Sequence, residues 1–257
     1  MTFTETQATP VAPAAPEPRW RFDAPVALFG GGEAAPEALL AATARSVALI
    51  AADGGANRFA LDKQRLAAVI GDLDSLEDQA GWRDALGAER LLHLAEQDST
   101  DLEKCLYSVA APAYLGVGFL GGRADHALAA INALLKRSDR RLVLLSAEDA
   151  VFLAPRAWRI TLPPRTRVSL VPLAPSRALR SAGLRWPLDG LSLAPGAQIG
   201  TSNETRAAPQ DRAGAIDVEA TFAGDGLWSS VVAIIPLEHL EAALSSLGVS
   251  AQSARPA

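Results

Sequence analysis

The chain has 257 residues, of which 49% are hydrophobic, enough apolar material for one large domain or two modest ones. Its 24 Lys and Arg against 29 Asp and Glu leave a net charge of −5, which argues against a nucleic-acid binder, because neutralising a phosphate backbone takes a clustered basic excess. One cysteine, Cys105, excludes an intramolecular disulfide and a cysteine-based zinc site, and it fits a reducing, cytoplasmic setting.

The first 23 residues are rich in Ala, Pro and Thr and lack the basic start and apolar core of a signal peptide. They are expected to form a disordered tail, as is the segment after Val249. No apolar stretch reaches the ~18 residues of a membrane span, so no membrane contact is expected.

From Val26 to Phe29 an apolar run ends in Gly30-Gly31-Gly32, and a helical stretch from Pro36 to Thr43 follows, the strand, glycine turn, helix order of an α/β unit. The rhythm repeats. Val47 to Ala52 ends at Asp53-Gly54-Gly55-Ala56-Asn57, and Ala67 to Ile70 ends at Gly71-Asp72-Leu73-Asp74-Ser75. Leu91 to Leu94 leads to Asp98-Ser99-Thr100-Asp101 and an amphipathic helix over Leu102 to Ala110, with Asp98 or Ser99 as its cap. Tyr114 to Leu120 ends at Gly121-Gly122-Arg123, before a helix over Asp125 to Leu135, and Leu142 to Leu145 is the last strand of this series. Such alternation predicts a mostly parallel sheet with flanking helices, whose carboxyl ends form one ligand crevice.

After Val151 the texture changes. Prolines from Pro155 to Pro195 interrupt short β-favouring runs, among them Arg167 to Leu170, Ile216 to Phe222 and Trp228 to Ile235. This predicts an antiparallel β-sandwich or barrel, with a short closing helix in Leu237 to Leu247. The expected division is a tail over 1–23, an α/β domain over 24–150 and a β-sandwich domain over 151–249.

Acidic residues fall in tight groups just past these strands: Asp53, Asp72 with Asp74, Asp98 with Asp101, and Asp125. Hard carboxylate oxygens from several loops, beside backbone that approaches phosphate closely, suit magnesium holding a polyphosphate. On an extended backbone Asp72 and Asp74 would point the same way with Leu73 turned to the core, although a pair of turn-capping aspartates fits the same letters. The Asp53 group reads as a plain glycine turn or as close phosphate contact. The helix opening at Thr100 offers unsatisfied N–H groups to an anion, with Gln97, Asp98 and Lys104 in reach, while Glu103 reads as solvent-facing. Gly121-Gly122-Arg123-Ala124-Asp125-His126 combines glycines that admit a ligand with a guanidinium for phosphate oxygens, although Arg123 and Asp125 also suit each other as a pair. His126 reads as structural. In the second half, Gly183-Leu184-Arg185-Trp186 reads as core packing or as a stacking surface, and Gly200-Thr201-Ser202-Asn203-Glu204 as a polar hairpin loop.

Taken in order, these six blocks resemble thiamine pyrophosphokinases, and the resemblance runs from about Val26 to Ile235. It implies an α/β domain that binds ATP and Mg²⁺, a β-sandwich that helps bind thiamine, and a homodimer with active sites at the interface. It also implies transfer of a pyrophosphoryl group from ATP to the thiamine hydroxyl, giving thiamine diphosphate and AMP. By resemblance Asp72, Asp74 and Asp101 form the magnesium shell, with Asp53 and Asp125 close by. Asn57, Gln97, Thr100, Lys104 and Arg123 contact nucleotide or phosphate, and Trp186, Ser202 and Asn203 face thiamine. The catalytic set is Asp72, Asp101, Arg123 and Asp125. One departure is Ala130, where the family often has asparagine. Two rival readings stand: a phosphatase similar to haloacid dehalogenases, built on Asp72-x-Asp74, and a sensor that binds without turnover. The first expects Thr or Val where this chain has Leu76.

Overall fold

The computed structural model describes residues 17–207 and 214–249. In chain order the first half holds β1 (Trp20–Arg21), β2 (Val26–Phe29), α1 (Pro36–Thr43), β3 (Ala48–Ala52), β4 (Leu66–Gly71), α2 (Gln79–Arg90) and β5 (Leu91–His93). It continues with α3 (Asp101–Ser108), β6 (Val109–Ala110), β7 (Tyr114–Val117), α4 (Ala124–Lys136) and β8 (Leu142–Leu145). The second half holds β9 (Asp149–Pro155), β10 (Ala157–Leu162), β11 (Arg167–Pro172), β12 (Ser176–Ala182), β13 (Ser192–Leu193), β14 (Gly200–Glu204), β15 (Ile216–Phe222), β16 (Trp228–Pro236) and α5 (Leu240–Ser246).

Ten strands join in one sheet of order β14-β11-β16-β9-β8-β7-β2-β3-β4-β5. The six from β8 to β5 run parallel. The remaining four attach antiparallel. Successive strands step one way from β2 to β5 and the other way from β7 to β8, so the order reverses between β2 and β7.

Every residue of β2 and β3 is buried, and alternate side chains enter different cores, as a strand covered on both faces requires. Val26 and Leu28 meet Leu102, Cys105 and Leu106 of α3 and Ala133 and Leu134 of α4. Ala27 and Phe29 share the opposite core with Ala38 and Ala42 of α1 and Trp82 of α2. A second, antiparallel sheet, β10-β15-β12-β13, contributes Trp158, Val218 and Phe222 to that same core. In β10 buried and exposed positions alternate strictly, the pattern of a strand with one wet face.

Several expectations are corrected. The tail predicted over 1–23 includes Trp20 and Arg21, which pair in parallel with Val109 and Ala110; Trp20 also packs against the core, an apolar gain that composition does not reveal. Residues 1–16 and the tail after Val249 lie outside the described residues. The helix expected to reach Ala110 ends at Ser108, because Val109 and Ala110 are taken by that pairing. Its N-cap is Thr100 rather than Asp98 or Ser99: Thr100 Oγ1 accepts from the Glu103 N–H at 3.3 Å and Glu103 reciprocates to the Thr100 N–H at 3.2 Å. The hairpin loop expected at 200–204 is edge strand β14, paired with β11. The sheet also runs on across residue 150, since β9 pairs with β8.

Trp158 is 1% exposed, lies edge-on to Phe152 at 6.1 Å and donates from Nε1 to Ser246 Oγ at 3.2 Å, tying the small sheet to α5. Trp158→Ala is expected to lower unfolding free energy by about 3–5 kcal/mol, measured by urea titration.

Candidate active site

The loops after β2, β3, β4, β5 and β7 surround a cleft of about 860 Å³ at the carboxyl end of the parallel strands. Glycine lets them crowd together. A Cβ on Gly30 would stand 2.6 Å from the Gly118 carbonyl oxygen, and one on Gly55 only 2.0 Å from that of Phe29.

Asp53, Asp72 and Asp101, from three different loops, bring one carboxylate oxygen each within 4.8 Å of one another. Gly71 makes room for them, since a Cβ there would meet the Asp53 Cβ at 2.7 Å and the Asp101 Oδ1 at 3.1 Å. Asp53 is 4% exposed; its Oδ2 accepts from the Ser75 N–H at 3.2 Å, whereas its Oδ1 is buried with no partner among the described residues. Burial, and then the charge of Asp101, raise the Asp53 pKa. Burial also raises Asp101, outweighing the hydrogen bond and charge of Lys104. For Asp72 burial is again the largest influence and acts upward. It is outweighed by hydrogen bonds from Gln97 and the Asp74 N–H and by the charge of Lys104, so its pKa falls.

Lys104 is 2% exposed, with Nζ 3.1 Å from Asp101 Oδ1 and 4.0 Å from Asp72 Oδ2. One ammonium against three carboxylates leaves the cluster negative. That excess and the orphaned Asp53 oxygen suit a divalent cation with hard oxygen ligands. The same helix overturns the solvent-facing reading of Glu103, which is buried, closes the Thr100 cap and accepts from Lys136 Nζ at 2.7 Å.

Asp74 is exposed, accepts from Ser75 Oγ at 2.9 Å and stands outside the group, with Asp53 in the place expected for it. The cause is local. Leu73 is buried as expected but has φ +62°, so Asp72 and Asp74 do not alternate on an extended backbone.

Gln97 lines the cleft and donates to Asp72 Oδ2 at 3.2 Å; Thr100 lines it from the helix opening. Asn57 lines it too, but its amide ties the turn after β3 to the turn after β4, through Ser75 O at 2.9 Å and the Glu77 N–H at 3.0 Å. Arg123 is at the rim, in a two-pronged pair with Asp125 at 3.1 and 2.6 Å. That pair holds the Asp125 carboxyl down to about 2, and Asp125 does not line the cleft.

Trp186, Ser202 and Asn203 do not line the cleft either. The buried Asn203 amide accepts from the Trp186 N–H at 3.2 Å and donates to its carbonyl at 2.7 Å. Trp186 is 49% exposed, with the Arg185 guanidinium 4.6 Å over its ring. Ser202 has φ +57° and its N–H donates to Ser169 Oγ at 3.0 Å. Glu33, Ser75 and Phe119, outside the expected site set, also line the cleft, as does His126, which read as structural; only their places beside the glycine and aspartate groups signalled them.

Fold and site together define an α/β protein whose ligand crevice lies at a topological switch point, walled by glycine and floored by carboxylates. Two family models match the chain: thiamin pyrophosphokinase, catalytic domain, over residues 40–144, and thiamin pyrophosphokinase, vitamin B1 binding domain, over residues 159–213. The chain belongs to the thiamine pyrophosphokinase family. Thiamine pyrophosphokinase 1 of Oryza sativa subsp. japonica is 32% identical over 185 residues, spanning 60% of this chain and 70% of the relative. Among solved structures, thiamin pyrophosphokinase from Candida albicans superposes with TM-score 0.66 at 16% identity, over 88% of this chain and 94% of that one. The enzyme from Geobacillus thermodenitrificans gives 0.64 at 20% identity, over 82% and 96%.

In metal-free buffer Asp53→Asn is expected to raise the thermal midpoint by about 2–4 °C, because it relieves a desolvated and repelled carboxylate while keeping an acceptor for the Ser75 N–H. Melting curves in chelator check it; an unchanged or lower midpoint contradicts it.

Proposed function

We propose that this crevice transfers the pyrophosphoryl group of ATP to the hydroxyl of thiamine, giving thiamine diphosphate and AMP. One observation carries the reading: three carboxylates from three loops converge within 4.8 Å beside a buried lysine, in a cleft walled by glycine. The family makes thiamine diphosphate from thiamine, and this arrangement suits the polyphosphate half of that reaction.

The thiamine oxygen attacks the β-phosphorus, the bond from that phosphorus to the oxygen bridging to the α-phosphate breaks, and AMP leaves with that oxygen. Asp53, Asp72 and Asp101 would hold Mg²⁺, which supplies charge stabilisation for the phosphate oxygens. Lys104 offsets part of the carboxylate charge, Gln97 orients Asp72, and Arg123, held by Asp125, presents a guanidinium to phosphate at the rim. The hydroxyl proton passes to a carboxylate of the cluster, Asp72 or Asp101. Asp74 would act from the mouth of the site rather than in the cluster.

Residues 24–150 would thus serve ATP and metal, and 151–249 would form the β-sandwich that helps bind thiamine. The shared core of the two sheets supports that second unit. Trp186, Ser202 and Asn203 would face thiamine, whose cationic ring suits an exposed aromatic face. Because these three lie off the cleft of their own chain, the reading includes a homodimer in which one protomer's thiamine residues complete its partner's cleft. A cytoplasmic setting accords with the lone buried thiol of Cys105.

Incubation with ATP, Mg²⁺ and thiamine is expected to yield AMP and thiamine diphosphate in equal amounts by chromatography. ADP or free phosphate as the product would point to a kinase of another class or to the phosphatase, and no turnover to the sensor. Asp72→Asn should fall below about 1% of wild-type turnover with its fold intact by circular dichroism. Mixing Asp72→Asn with Asn203→Ala should restore about a quarter of wild-type activity if sites are shared between protomers, since half the random dimers then hold one intact site of two.

A further inference from the structure

Arg58 lies in the short 3₁₀ segment Asp53–Phe59 that carries Asp53, yet it does not line the cleft. It lines a separate cavity of about 480 Å³, with Phe29, Leu39, Phe59 and Leu61 among its neighbours. From there its Nη2 donates to the carbonyl oxygens of Gly30 and Gly32, each at 2.7 Å. A Cβ on Gly118 would stand 3.1 Å from the same nitrogen. One guanidinium end therefore sits where the loops after β2, β3 and β7 meet, at the reversal of strand order.

Arg58 is exposed overall, but its side chain borders a largely apolar cavity, and partial desolvation lowers its pKa. Asp62, in the same cavity, pairs with Arg65 at 3.9 Å instead, and among the described residues Arg58 joins no ion pair. A space-filling role would be met by an apolar side chain. What Arg58 does is occupy two carbonyl oxygens of a loop that lines the cleft and has no side chains of its own from Gly30 to Gly32. Carbonyl oxygens turned toward a triphosphate would repel it, and a glycine loop left loose would have to be ordered on binding.

We infer that Arg58 is a positioning residue, which sets the Gly30–Gly32 loop for the phosphate chain of ATP by holding both carbonyls on the far side from the ligand. The inference rests on the proposed reaction for its ligand, but the ordering of the loop is measurable without it.

The test compares Arg58→Met and Arg58→Lys with wild type. Arg58→Met should raise KM for ATP about tenfold, leave KM for thiamine within about twofold, and speed amide exchange at residues 30–33. Arg58→Lys, which keeps the charge and a donor, should recover part of the ATP effect. The inference is overturned if exchange at 30–33 and KM for ATP stay as in wild type. It is also overturned if both variants raise both KM values alike in step with a lower thermal midpoint, the mark of a role in stability alone. Wild type that produces no AMP would instead refute the proposed reaction, and the exchange result would still decide whether Arg58 orders the loop. Should Arg58→Met fail to fold, Arg58→Lys carries the same comparison.

Discussion

Three carboxylates within a few ångströms repel one another, and folding must hold them together against that repulsion before any cation arrives. The chain does so with backbone. Asp53 stands at φ +45° at the start of a 3₁₀ segment, Asp72 follows the end of β4, and Asp101 opens α3 behind a full capping box. Gly71 leaves space for all three, and buried Lys104 reaches back from the first turn of α3 to two of them. Destabilisation of this kind at a site is repaid when a ligand binds, and it is carried here by a parallel sheet with a core on each face.

The order of the sheet places that cluster. The strand order reverses between β2 and β7, whose following loops touch through the Gly32 N–H on the Gly118 carbonyl, and the cleft lies at that reversal, with carboxylates on the β3–β5 side and the Arg123 rim beyond β7. Lys104 and Glu103 show how one helix serves both scaffold and site: neighbours in sequence, they turn to different partners, one to the carboxylates and one to Lys136 and the Thr100 cap. The second half of the chain is not appended by a linker. β9, β16, β11 and β14 continue the same sheet, while the smaller sheet packs into one of its cores.

Much of this was legible in the letters. The runs at Val26–Phe29 and Leu142–Leu145 and the helix at Pro36–Thr43 were expected with the bounds they have, because strands buried on both faces read as unbroken apolar stretches and Pro suits a helix start. The site was legible only as a set of loops. Asp74 carried the same signal as Asp53, and which of them joins the cluster depends on the left-handed turn at Leu73, a conformation that a leucine does not announce. Thr100 was passed over as the cap because Asp98 and Ser99 are equally good capping residues nearby. The pairing of Trp20 with Val109 of β6, a contact between residues far apart in sequence, leaves no local pattern at all.

By itself, then, the sequence determined the alternation of elements, the acidic and glycine-rich loops at their ends and the ordered blocks that resemble one enzyme family, since each depends on near neighbours and on apolar periodicity. Only the tertiary structure decided which aspartates share a site, that Lys104 is buried among them, that Arg58 donates to two carbonyls of the glycine loop and that one sheet crosses the middle of the chain. Those outcomes rest on through-space distance and on single backbone angles, which a linear pattern of residue types does not encode.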